Sequence, residues 1–190
     1  MPMPLAETES TSGRVRSRAD CRKAAAELPS GYRIDVYCGE VADVVQYVGG
    51  WLFDQMMAGW QVHVGVGAGQ DVKPLQILGV GPQPDPGPES CQDGSSTPYR
   101  ATIAVAAEVL DRDENLSFEV AEALRSGTAE VLVWGNPMSE DWERGKSLSD
   151  VEYPMSTAAR AFKAYAMKAA AVQADSARSV EVFRFSAPAL

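Results

Sequence analysis

The sequence predicts an α/β fold, a single layered domain with a mixed β-sheet of five or six strands flanked by helices, and three observations carry that prediction. Tyr32 to Tyr37 alternates Tyr32, Ile34 and Val36 against Arg33, Asp35 and Tyr37, the period of a half-buried strand. Beyond Cys38 and Gly39, Val41, Val44, Val45, Val48, Leu52 and Met56 recur at helical spacing. Trp60 to Val66 then returns to strand-like alternation, and a strand, a long helix and a strand in succession form the unit that builds parallel pairs.

Residues 1–30 read as a mobile N-terminal arm followed by a short basic helix, the latter spanning Arg14 to Leu28 and stopped by Pro29-Ser30-Gly31. Residues 31–190 read as the domain. Its first long helix opens with Glu40 and Asp43, carboxylates that complement the helix dipole, and ends near Gly59. Gly49 and Gly50 interrupt it at about 1 kcal/mol each relative to alanine. Close packing at a place with no room for a Cβ is the favoured compensation, with a kink as the alternative.

Pro74 to Val80 reads as a third strand joined to the second by a hairpin, because only GAGQDVK separates them. Gly81 to Pro98 is dense in proline and glycine and nearly devoid of apolar side chains, so it reads as a Pro/Gly-rich loop. Ala101 to Val109 carries both signals, alanines for a helix and alternating Ile103, Val105 and Ala107 for a strand, and is assigned as a strand. Leu116 to Arg125 reads as a short helix capped by Ser117 and closed by Gly127, and Ala129 to Trp134 as a strand ending at Gly135-Asn136-Pro137. Met138 to Pro154 reads as an acidic connection with two turns. Ser156 caps a last long helix with Phe162, Ala166, Ala169 and Ala170 inward and Arg160, Lys163 and Lys168 projecting elsewhere. Val180 to Phe185 alternates as a closing strand.

Composition narrows the function. With 45% hydrophobic residues in 190, the chain can bury an ordinary core. It has no apolar run long enough to span a bilayer, and its opening MPMPLAETESTSGRVRSR lacks the apolar centre of a secretory signal, so no membrane association and a cytoplasmic location are expected. Three cysteines at wide spacing predict reduced thiols, and a single histidine argues against zinc chemistry, so neither metal nor cofactor is expected. The net charge of −9 is unevenly distributed: residues 108–152 hold twelve acids and four bases, residues 153–190 two acids and five bases. That acidic middle makes nucleic acid an unlikely partner. Arginine over lysine and abundant alanine suggest a high-GC bacterial or phage source.

Four features could carry chemistry. Gly65, Gly67 and Gly69 follow the second strand, but a phosphate loop must lead into a helix N-terminus, and a tight turn explains them better. Cys38 and His63 would form an activated thiol only if they meet across paired strands, with Asp35 able to orient the imidazole. The blander account is a buried thiol and a strand histidine. The acidic sets Asp111, Asp113, Glu114 and Glu140, Asp141, Glu143 lack the calcium-loop pattern and read as solvated surface, as does the basic stretch from Arg14 to Lys23.

The leading expectation is therefore a non-enzymatic binding or interaction module. Its partner is another protein or, most simply, another copy of itself, bound through Arg160, Lys163 or Lys168 and the acidic segment from Asp111 to Glu143, with Trp142 and Tyr153 as exposed aromatics. The alternative is a small enzyme or nucleotide-type ligand binder whose site lies at the strand ends near Cys38, Gly65 to Gly69, Gly135 and Asn136.

Overall fold

The computed structural model describes residues 32–81, 100–135, 148–173 and 179–186. The expectations for the N-terminal arm, for the loop beyond Gly81, and for Asn136, Glu140 to Glu143 and the cysteines Cys21 and Cys91 lie outside the described residues.

Six strands form one sheet: β1 (Tyr32–Tyr37), β2 (Gln61–Gly65), β3 (Arg100–Ala106), β4 (Ala129–Trp134), β5 (Leu148–Pro154) and β6 (Val180–Ser186), in the order β2-β1-β3-β4-β6-β5. The first four are parallel, with Asp35 opposite His63 and Ile103, and Ala104 opposite Leu132. β6 is antiparallel to both β4 and β5. The sheet is thus mixed as the sequence predicts, although the antiparallel part lies at β6 and not at a hairpin after β2.

Among the described residues, helices α1 (Val41–Met57), α2 (Lys73–Ile77) and α5 (Thr157–Ala169) cover one face, over a core that includes Ile34, Val36, Val64, Ala104, Leu132 and Phe183. Helices α3 (Ala107–Arg112) and α4 (Glu114–Ser126) cover Val105, Val131 and Val133 on the other face, at the centre of the sheet. No helix among the described residues is long and apolar enough to cross a membrane.

Several elements differ from their sequence reading. Pro74 does not begin a strand; it lies in the first turn of α2, where its missing N–H is no loss, and Leu75 and Leu78 are buried three residues apart. The segment from Ala101 to Val109 divides at Ala106: Ile103 and Val105 alternate in β3, and Ala107 and Leu110 take up helical spacing in α3. Asp113, not Ser117, caps α4, its carboxylate accepting from the amides of Asn115 and Leu116 at 3.0 Å each. Gly127, at φ 66°, closes that helix as expected. The end of the acidic connection is strand β5, and its charged residues Asp150 and Glu152 are tolerable because β5 is an edge.

The largest departure concerns Lys163. Ser156 caps α5 through a 3.0 Å bond from Ala159 N, but the inward stripe is then Ala159, Lys163 and Ala166, and Phe162 is 44% exposed. The Lys163 ammonium pairs with buried Glu181 and also donates to the Gln46 carbonyl at 2.6 Å. Glu181 in turn accepts from Gly50 N at 2.8 Å and Trp51 N at 2.7 Å. Gly50 N–H and Gln46 C=O are the two ends of one α-helical rung, so the ion pair is inserted at that rung of α1. Burial pushes the Glu181 carboxyl above its ordinary value, against the downward pull of Lys163 and the two amides. A Cβ on Gly50 would overlap Met155 and come within 3.1 Å of the Glu181 carboxylate, and one on Gly49 would lie 3.2 Å from Leu78. The glycine pair is therefore a place of close approach, the compensation the sequence reading favours.

Candidate functional site

The carboxyl ends of parallel strands are where open α/β sheets hold ligands, because loops diverge there and leave a crevice. In this chain β1 ends at Tyr37, Cys38 and Gly39 follow it, and α1 begins at Val41. Glu40 occupies the N-cap position without a side-chain capping bond. Its place is taken from a distance by Gln70, whose Oε1 accepts from Val41 N at 2.8 Å and whose Nε2 donates to the Gly39 carbonyl at 2.6 Å. One amide side chain thus ties the loop after β2 to the loop after β1 and satisfies an amide at the helix start that has no partner within the helix.

The glycines after β2 serve this tie. Gly69 has φ 87°, and the Gly67 carbonyl accepts from Gln70 N at 3.5 Å, so the turn presents Gln70 toward α1. They do not form a hairpin, because α2 and not a strand follows.

Beside Gln70 opens a pocket of about 430 Å³ lined by Gly39 to Ala42 from the start of α1, Gln70 and Asp71 from the β2 loop, Pro74 of α2, and Ala169 to Ala171 at the end of α5. That volume lies within the range of small-molecule sites. Ala171 takes φ 54°, the left-handed conformation that ends many helices but is strained for alanine. Among the described residues the carboxylates lining the pocket are Glu40 and Asp71, and no described lysine, arginine or histidine lines it. Asp71 also accepts from Lys73 N, the first amide of α2, at 2.9 Å. The carbonyl end of α5 adds the negative pole of a helix dipole.

Negative charge continues behind the pocket. A Cβ on Gly39 would overlap the carboxylate of Glu108, the second residue of α3, whose other oxygen is 3.2 Å from Arg112. Burial, Glu108 and Glu40, in that order, raise the Asp43 carboxyl above its ordinary value. Cys38 shares this environment: burial first, then Asp43 and Glu108, push its thiol up to about 12, and its Sγ lies 3.7 Å from the Gly65 carbonyl. A thiol held protonated at neutral pH is a poor nucleophile.

His63 stands apart from Cys38. It is in register with Asp35, whose carboxylate pairs with Arg33 at 2.8 Å, whereas Cys38 packs with the core on the face that carries Ile34 and Val36. The two are on opposite faces of the sheet. Burial and then Arg33 lower the His63 pKa against the opposing pull of Asp35, which favours the neutral imidazole. Gly135, with φ 99°, abuts Ala107 at the end of β4 and does not line the pocket. Among the described residues no group of three or more His, Cys, Asp and Glu side chains is arranged to hold a metal ion.

The structure therefore brings together the turn at Cys38-Gly39 and the glycine loop from Gly65 to Gly69, and leaves His63 and Gly135 elsewhere. The residues that sequence reasoning missed are Gln70, Asp71 and Ala169 to Ala171. No family model, curated protein or solved structure matches this chain.

Proposed function

We propose that the chain is a binding protein whose site is the pocket at the ends of β1 and β2, and that its ligand is a small uncharged or cationic organic molecule. One observation carries this reading: among the described residues the pocket is lined by Glu40 and Asp71 and by no cation, and the amide at the start of α1 is already bonded to Gln70. A nucleotide needs free N–H groups and compensating positive charge for its phosphates. This site offers an acidic rim with Asp43 and Glu108 behind it, which repels phosphate and favours an amine or quaternary ammonium. Binding is favoured over catalysis because the Cys38 thiol stays protonated and His63 lies on the opposite face of the sheet.

A thermal-shift series with choline, putrescine, glucose and ADP tests the reading. A ligand at a hundred times its Kd stabilises by about 2.7 kcal/mol, which for a chain of this size raises Tm by about 5–10 °C. Such a rise is expected with a cationic or uncharged member, and it should vanish in Ala170→Trp, whose side chain fills the pocket. Stabilisation by ADP that persists at high salt would contradict it, as would a cation effect that Ala170→Trp leaves intact.

A further inference from the structure

Two helices on opposite faces of the sheet present aromatic side chains among charges of opposite sign. On α5, Phe162 and Tyr165 are exposed one turn apart, Tyr165 at 69%, with Lys168 on the next turn, and Arg160 is exposed elsewhere on the same helix. The Phe162 ring is held by stacking on Phe53, with centroids 4.7 Å apart, so it is already ordered before any contact forms. Helix α5 contains no carboxylate, and its inward cation, Lys163, is neutralised by Glu181. On α4, Phe118 is 72% exposed and stands between Glu114 and Glu122 at four-residue spacing, so all three share one stripe. From Ala107 to Ser126 the chain holds six carboxylates and two arginines, and both arginines are bridged within their own helices, Arg112 to Glu108 and Arg125 to Glu122.

We propose that the α5 face of one copy docks on the α3–α4 face of a second copy. Within one chain the two surfaces are separated by the sheet and cannot meet. Pairing α5 with α5 would oppose Arg160 and Lys168 to themselves, and pairing α4 with α4 would oppose carboxylates, so electrostatics favours the mixed contact. The contact is heterologous: each bound copy still offers one unused face, and growth is head to tail. This narrows the surface expected from the sequence, since Lys163 is buried and Tyr153 is half-buried, bonded to Asp54 and stacked on Phe183. Steering by charge, with a small aromatic patch on each face, makes the association salt-sensitive.

Sedimentation velocity on the full chain at about 10 mM and about 1 M salt, where the screening length falls from about 30 Å to about 3 Å, tests the proposal. At low salt the average sedimentation coefficient is expected to keep rising with concentration past that of a dimer, and at high salt to return to the monomer value. Tyr165→Asp blocks the α5 face and Phe118→Asp the acidic face; both positions are exposed, and an unchanged melting temperature verifies the fold. Each variant alone is expected to be monomeric, and an equimolar mixture to form dimers and nothing larger, because one intact face of each kind remains. A wild-type monomer at tens of micromolar in low salt would overturn the proposal. So would a plateau at dimer, association of either variant alone, or a mixture that stays monomeric.

Discussion

Lys163 and Glu181 show how much one residue pair decides in this fold. Their charges are removed from water, and their compensation is complete only because the Gln46 carbonyl and the Gly50 and Trp51 amides join them. Lys163→Met leaves the carboxylate buried without its counter-ion and should destabilise by about 3–5 kcal/mol, measured by urea unfolding. An unchanged midpoint would show that the pair does not sit at the centre of the α1–α5 packing. Cys38 gives a second test at this scale. Its folded pKa of about 12 lies above the ordinary 9.0, so it contributes stability that is present below pH 9 and lost as pH rises toward 12. Three pH units of thiolate suppression slow alkylation about a thousandfold at pH 8 relative to a free cysteine, checked by iodoacetamide labelling with peptide mapping. Lys163 could have been placed from the sequence: once Ser156 sets the helix start, Ala159, Lys163 and Ala166 fall on one stripe. The apolar character of Phe162 pointed to a different register, and residue type alone cannot say which lysine has a carboxylate waiting for it.

Among the elements, those with a clear apolar periodicity were legible and those without one were not. β1, α1, β2, β4, β6 and the Ser156 cap stand where alternation, helical spacing and capping chemistry place them. Helix α2 was misread because five residues are too few to separate a strand from one and a half helical turns, and Pro74 is compatible with either start. β5 was hidden because its carboxylates Asp150 and Glu152 read as connection, while its alternation of Ser149, Val151 and Tyr153 becomes meaningful only beside β6. The prediction at this scale concerns α1. Val45 is fully buried against the sheet, so Val45→Asp places an unpartnered carboxylate in the core and should cost several kcal/mol, with loss of cooperative melting. Retention of the wild-type melting temperature would mean that α1 does not cover the core.

At the scale of the whole molecule, the order β2-β1-β3-β4 places the ends of β1 and β2 beside the end of α5, and that convergence makes the pocket. The sequence indicated the strand ends as the place for a site, through Cys38-Gly39 and the glycines from Gly65 to Gly69. It could not indicate Ala169 to Ala171, far along the chain and chemically bland, because their contribution is backbone position at a helix end. Nor could it indicate that Gln70, an ordinary loop residue, reaches back to the start of α1. On the proposed function this pocket accepts small cations or uncharged molecules and refuses phosphates. An amide NMR titration of the full chain with choline or putrescine, and separately with ADP, distinguishes these. Shifts clustered at Gly39 to Ala42, Gln70, Asp71 and Ala169 to Ala171 are expected under at least one of the cations, and none there under ADP; ADP moving those amides while both cations leave them still would overturn the proposal.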